Sequence, residues 1–498
     1  MTSFALKDPM RGLTEQDGDN STRTRVRNAA HTVQADGAAS RAYTSKMPDT
    51  PLRAVASQEV YRLRRERICA AMRSEGDALV LHGGQLRTRA NDTEYRFRPD
   101  SDFYYLTGLC EPGAVMVLRA GRTAAEDTYT LFVRERDRAA EVWSGRRIGP
   151  QGAKSHYGAD AAHPLSALGN ELPKLLDGAR AVHTPIGRYG DLDRKILAAS
   201  GVLRRRNRDG SRPPAGLFDS RELLGEERIV KDEGALESLR QAVSLSAHAH
   251  LEAMRHTRPG LFEYEVEARI EFEFRRAGSS GPGYGSIVGG GDNATILHYV
   301  DNCDPLRDGD IILIDAGAEW DFFSGDITRS WPVNGRFTPA QKDLYEIVLA
   351  ANEVGIEKSV VGESINSIHD ASLRVLAQGL KDLSLIDAEH SVDAILEGEL
   401  YKPWYMHRTS HWLGVDVHDA GDYCRDGSPR PLAPNYVLTI EPALYVAADD
   451  EKAPEELRGI GVRIEDDVRV TQGAPEVLSA ACPKTVAELE SVIGSALD

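Results

Sequence analysis

The chain has 498 residues, enough for two or three domains at roughly 150 residues each, and its 41% hydrophobic and 28% charged residues are an ordinary balance for a protein with a sizeable core. Asp and Glu outnumber Lys and Arg by 77 to 60, a formal net charge of −17, which argues against a general nucleic-acid binder, whose footprint is basic. No apolar run long enough to span a membrane occurs, no secretory signal opens the chain, and five scattered cysteines without a CxxC pair read as reduced thiols of a cytoplasmic protein.

Residues 1–55 are rich in Ser, Thr, Asp, Arg, Gly and Ala, carry no apolar period, and read as a disordered tail. Residues 58–225 then alternate helical and strand patterns, which predicts an α/β domain. A helix is expected over Tyr61–Met72, a strand at Ala78–Leu81 before Gly83-Gly84, and further strands at 114–118 and 128–133. The basic, proline-ended stretch 204–214 reads as a surface loop or linker. Residues 227–490 carry a weak internal duplication. A helical pattern over Gly234–Arg255 is broken by Gly260, and a second helix follows through Val266 and Ile270 to Gly278, then strands. The order recurs from Thr338, a predicted N-cap with Pro339 at the first helical position. Leu344, Ile347, Val348 and Ala351 form its stripe, Gly362 breaks it, and a helix through Ile365, Ile368 and Leu373 leads into strands again.

Those strands carry acidic residues where apolar ones are expected. The segment Ile311–Arg329 reads as a hairpin; with its turn at Trp320-Asp321, Asp315 stands opposite Asp326, with Cβ atoms about 4.5–5.5 Å apart. Two carboxylates so placed repel unless a cation lies between them. In the second copy two apolar strands end in Glu441 and Glu465, and His407, His411 and His418 fall between the copies. Any one of these residues alone is an ordinary turn former or core histidine. Together they point to a metal site, because acidic groups are rarely buried unpaired.

Several motifs resemble those of the pita-bread metallopeptidases, within them the aminopeptidase P branch. They are Ile314-Asp315-Ala316-Gly317, Ser324-Gly325-Asp326-Ile327-Thr328-Arg329, Ser410-His411-Trp412-Leu413-Gly414, Thr439-Ile440-Glu441-Pro442 and Val462-Arg463-Ile464-Glu465-Asp466. Ile296-Leu297-His298-Tyr299, Asp416-Val417-His418-Asp419, the stretch 99–108 and the stretch 140–147 are similar to the same branch. The resemblance implies an N-terminal creatinase-like α/β domain, then an α+β pita-bread catalytic domain with pseudo-two-fold duplication. It implies two divalent metal ions bridged by Asp326 and Glu465, with Asp315 completing one shell and His411 with Glu441 the other; that set of one imidazole and four carboxylates is hard and suits Mn²⁺, with Co²⁺, Fe²⁺ or Zn²⁺ as alternatives. It implies hydrolysis of the bond between an N-terminal residue and a following proline by a metal-bridging hydroxide. Glu441 would take the proton from the attacking water. His298 and His418 would contact the peptide, His407 would support them, and Arg463 would orient a ligand carboxylate. The partners implied are Xaa-Pro-Yaa peptides, with no nucleic acid and no membrane. A homodimer or homotetramer is expected, with Asp92 and Trp143 near a neighbouring subunit's site.

Prolidase shares this fold and ligand set but prefers Xaa-Pro dipeptides, so the motifs in the N-terminal domain favour aminopeptidase P. A dipeptide's carboxylate would need a basic partner, for which Arg425 or Arg430 in the divergent 424–434 loop are the candidates.

Overall fold

The computed structural model describes residues 57–73 and 76–496, so the expected tail at 1–55 lies outside the described residues. The N-terminal part is built on a six-stranded mixed sheet. Its strands run in the order Ala161–Pro164, Thr128–Val133, Val115–Arg119, Ala78–His82, Ala181–Thr184 and Gly216–Asp219. The central strands are apolar on both faces because both are covered. Leu79, Leu81, Met116, Leu118 and Leu131 pack with Ile68, Cys69 and Met72 of the helix Gln58–Met72. Val80, Val115, Val117 and Phe132, pointing the other way, pack with Leu172, Ile196 and Leu203. The stretch 204–214 starts inside the helix Gly190–Arg205, whose last turn is anchored by buried Leu203, and it leads into a strand of the same sheet.

The C-terminal part shows the repeated order that the sequence suggests. The helices Glu233–His256 and Glu263–Ala277 form one pair, and Pro339–Glu357 and Ile365–Asp382 the other. Gly260 and Gly362 occupy corresponding turns with φ of 92° and 90°, a left-handed conformation that glycine takes without strain. Thr338 caps its helix by accepting from the Gln341 amide, with Pro339 at the first position. Small antiparallel sheets follow each pair. Ile287–Gly290, Ile311–Asp315 and Thr328–Pro332 form the first. Val437–Ile440 pairs with Asp466–Arg469, and Ala443–Val446 with Ile460–Arg463. Ile312, Ile314, Trp331, Val348, Leu376, Val462 and Ile464 lie in one core that joins the halves. The α/β plus α+β class is as expected.

The hairpin register is not. Asp315 stands opposite Thr328 rather than Asp326, and Trp320 pairs with Phe323. The turn is therefore Asp321-Phe322, with φ of 52° and 63°. Two central residues at positive φ match the twist of the flanking strands, but such turns usually carry Asn-Gly. Here contacts from the N-terminal part hold the turn instead. The Tyr104 hydroxyl donates to the Asp321 carboxylate, and the Phe322 ring meets Tyr104 edge-on at 4.5 Å. A slip of two residues, unlike a slip of one, leaves every side chain on its original face, so Asp315 and Asp326 still converge.

Candidate active site

The strand ends of the two halves deliver the predicted residues to one cavity of about 780 Å³. Asp315 closes the strand Ile311–Asp315, and Asp326 lies in the link to Thr328–Pro332. The Tyr284 hydroxyl lies 2.6 Å from Oδ1 of each, with one proton to share between them. His411 is laid alongside the strand Val437–Ile440. The Thr439 N–H donates to the His411 carbonyl at 3.0 Å, and the Glu441 N–H to the Thr409 carbonyl at 2.8 Å. His411 and Glu441 thus project together. His411 Nε2 sits 3.3 Å from Asp326 Oδ2 and 3.6 Å from Glu441 Oε1. The Trp412 carbonyl lies 3.0 Å from Nδ1; a proton donated there leaves Nε2 as the ligating atom.

Glu465 follows the strand Ile460–Arg463. The Asn352 side-chain amide donates to the carbonyls of Ile440 and Ile464 at 2.9 and 3.2 Å, pinning the residues before both glutamates to one helix. One ligand atom from each of Asp326, His411 and Glu465 lies within 4.8 Å of the others. Arg463 ties the set together, donating to Asp315 Oδ2 at 2.7 Å, Thr328 Oγ1 at 3.1 Å and the Tyr445 hydroxyl at 2.7 Å. Thr328 in turn donates to Glu465 Oε2 at 2.6 Å. His407 lies with Nε2 at 3.0 Å from the Tyr445 hydroxyl and Nδ1 at 3.6 Å from Glu441 Oε2. His418 meets the His411 ring edge-on at 4.4 Å, and His298 lines the same cavity.

Burial raises the Glu441 carboxyl to about 7, even though His411 and Arg463 pull the other way. Burial, reinforced by Asp326 and Glu441, holds Glu465 well above the carboxylate range, and burial also raises Asp326. Burial lowers a histidine, yet the Asp326 hydrogen bond and the charge of Glu441 leave His411 at about 9. His407 falls to about 3 through burial and the nearby Arg463. Such a donor set could hold a cation in place of protons. Three buried carboxylates and the partly buried Glu441 face Arg463, His411 and His407, and the outer atoms of Asp315, Asp326 and Glu465 are oriented by Tyr284, Thr328 and Arg463.

Tyr284, Asn352 and Tyr445 escape the sequence reading, because a lone Tyr or Asn has no spacing signal. The one available clue is that Tyr284 sits between Gly283 and Gly285. Arg425 and Arg430 do not line the cavity, and Arg430 is buried in an ion pair with Glu226. The exposed Trp143 borders a separate cavity of about 660 Å³, and Asp92 lines neither.

Two family descriptions match the chain: "Aminopeptidase P, N-terminal domain" over residues 61–183 and "Metallopeptidase family M24" over residues 237–472. A Xaa-Pro aminopeptidase of Escherichia coli (strain K12) is 40% identical over 88% of this chain and 98% of its own length. The solved Pseudomonas aeruginosa aminopeptidase PepP superposes with a TM-score of 0.85 at 44% identity, covering 88% of this chain and 98% of that one. A zinc-substituted E. coli aminopeptidase P in complex with product gives a TM-score of 0.85 at 40% identity, covering 89% and 99%. Fold and site together define the M24 class of metallopeptidases. Within that class, the chain belongs to the aminopeptidase P family.

Proposed function

We propose that the protein is a dinuclear-metal aminopeptidase that releases the N-terminal residue from peptides with proline in second place. The observation that carries this reading is the approach of Asp326, His411 and Glu465 to within 4.8 Å, with Asp315 and Glu441 in the same cavity. The donors suit two divalent ions, Mn²⁺ first among them. Asp326 and Glu465 would be shared, Asp315 would serve one ion, and His411 with Glu441 the other. When bound, such ions supply an ionised water nucleophile at neutral pH and polarise the scissile carbonyl.

The chain's own groups do the rest. Glu441, in the same cavity and with His407 3.6 Å away, would accept a proton from the attacking water and return it to the leaving nitrogen. His298 and His418, both on the cavity wall, donate to the peptide and to the carbonyl oxygen as it gains charge. His407, kept neutral by burial and Arg463, supports Glu441. Arg463 fixes Asp315. Proline's imide nitrogen has no N–H to offer, so recognition falls to shape, and Ile287, Leu297, Val300 and Val417 give the cavity an apolar wall for the ring. Reduced thiols support a cytoplasmic enzyme, and the exposure of Val142 and Trp143, 79% and 91%, supports a homodimer or homotetramer that covers them.

Stripping the protein, reloading it with Mn²⁺ and counting bound ions should give two per chain; a single ion at saturation rejects the dinuclear site. With the same metal and pH, Ala-Pro-Ala should show a higher kcat/KM than Ala-Pro. The reverse order would move the assignment to prolidase.

A further inference from the structure

The cavity walls include two arginines, Arg408 and Arg463. Arg463 is buried and committed to Asp315, Thr328 and Tyr445. Arg408 is different. It is exposed, its Nη2 donates to the neutral side-chain oxygen of Asn366, and no carboxylate among the described residues pairs with it. Asn366 stands in the first turn of the helix Ile365–Asp382, which Ser364 caps, so the guanidinium is held by a rigid element. Arg408 also directly follows His407, whose ring is 3.6 Å from Glu441. Arg408 thus both lines the cavity and is exposed, so it stands where the cavity meets solvent.

We propose that Arg408 binds the free C-terminal carboxylate of the substrate and makes the enzyme selective for short, free-acid Xaa-Pro-Yaa peptides. The inference rests on the peptidase reading and names the end of the substrate which that reading leaves open. An aminopeptidase holds the N-terminal ammonium at the closed, acidic end of its site, so the C-terminus runs outward. An extended tripeptide spans about 10 Å, and a cavity of about 780 Å³ is of the size that encloses such a ligand. The metal ions would offset the ligand carboxylates, so the outward-running terminal carboxylate needs a cationic partner of its own. A guanidinium with Nη2 already anchored keeps further N–H groups for a planar, bidentate contact. Arg430 cannot serve, being buried against Glu226, and the exposed Arg425 does not line the cavity.

The test compares Ala-Pro-Ala with its C-terminal amide on the full-length, metal-loaded enzyme. The two peptides share the ammonium and the scissile bond. The wild type should favour the free acid by about tenfold in kcat/KM, mainly through KM. Arg408→Gln should lose that preference by weakening the acid alone, and Arg408→Lys should recover part of it. Unchanged cleavage of the amide reports an intact site. Equal use of acid and amide by the wild type, or a proportional fall of both in Arg408→Gln, would overturn the proposal while the peptidase assignment stands. Failure of the wild type to cleave either peptide would overturn that assignment instead.

Discussion

Tyr284 has one hydroxyl proton and two carboxylates to give it to. Burial and the adjoining Asp315 and Asp326 hold that hydroxyl well above its ordinary range, so it stays protonated and orients both proposed ligands. Tyr284→Phe keeps the ring and removes the donor. It should weaken metal affinity about 10- to 100-fold, the usual cost of losing an outer partner of a ligand, as read by calorimetric titration. Unaltered affinity would show that the carboxylates need no such support. Asp326 is the sharper case. Asp326→Asn changes charge at nearly constant volume, so the native circular dichroism should survive while turnover falls by at least ~10²-fold and two-ion binding is lost. A variant that keeps two ions and near-normal turnover would contradict the assigned ligand set.

At the scale of elements, the turn that presents His418 is gripped by the N-terminal part and by the segment around the helix Arg221–Ile229 that leads out of it. Arg228, buried on the helix Arg221–Ile229, donates to Asp102 at 2.6 Å, to Asp416 at 2.7 Å and to Asp419. Lys231 donates to Asp419 at 2.8 Å, Ser101 to Asp416 at 2.5 Å, and Arg98 to the Val415 carbonyl at 2.7 Å. Gly414 makes the close turn possible, since a Cβ there would come within 2.0 Å of Asp419 Oδ2. Arg228→Met takes the cation from Asp102 and leaves the buried Asp419 to Lys231 alone, and should cost about 3–5 kcal/mol in urea denaturation, with activity falling as His418 loses its place. A loss below about 1 kcal/mol, the range of a surface pair, would show that the clamp is not needed. None of this was legible in the sequence, because its partners lie more than a hundred residues apart. What was legible is local: the helices with their caps and glycine breaks, the apolar strands, and the five proposed ligands on the strand-like segments. The hairpin register was missed for a related reason. Asp321 and Phe322 adopt a turn that usually announces itself by glycine, and the contacts that enforce it come from Tyr104 in the other domain.

For the whole molecule the cluster sets a pH dependence. In the metal-free protein Asp326, Glu441 and Glu465 have carboxyls raised by burial, Glu441 to about 7 from 4.5. An acid with a higher pKa folded than unfolded stabilises the fold below its unfolded value and loses that contribution as pH rises through the folded one. For Glu441 the window is 4.5 to about 7. His411, raised from 6.5 to about 9, loses its contribution in the same direction over that higher window. Divalent ions held by the deprotonated proposed ligands would offset the loss. The difference in Tm between metal-loaded and metal-free protein should therefore widen from pH 5 to pH 8. A gap that stays constant or narrows would mean that these groups are not the ligands. The central claim is tested most directly by product analysis. Ala-Pro-Ala is incubated with the stripped protein and with the same protein reloaded with Mn²⁺, and the products are identified by mass spectrometry. The account predicts free Ala and Pro-Ala from the reloaded enzyme alone. Intact peptide in both samples, cleavage that ignores the metal, or release of Ala-Pro with C-terminal Ala would contradict it.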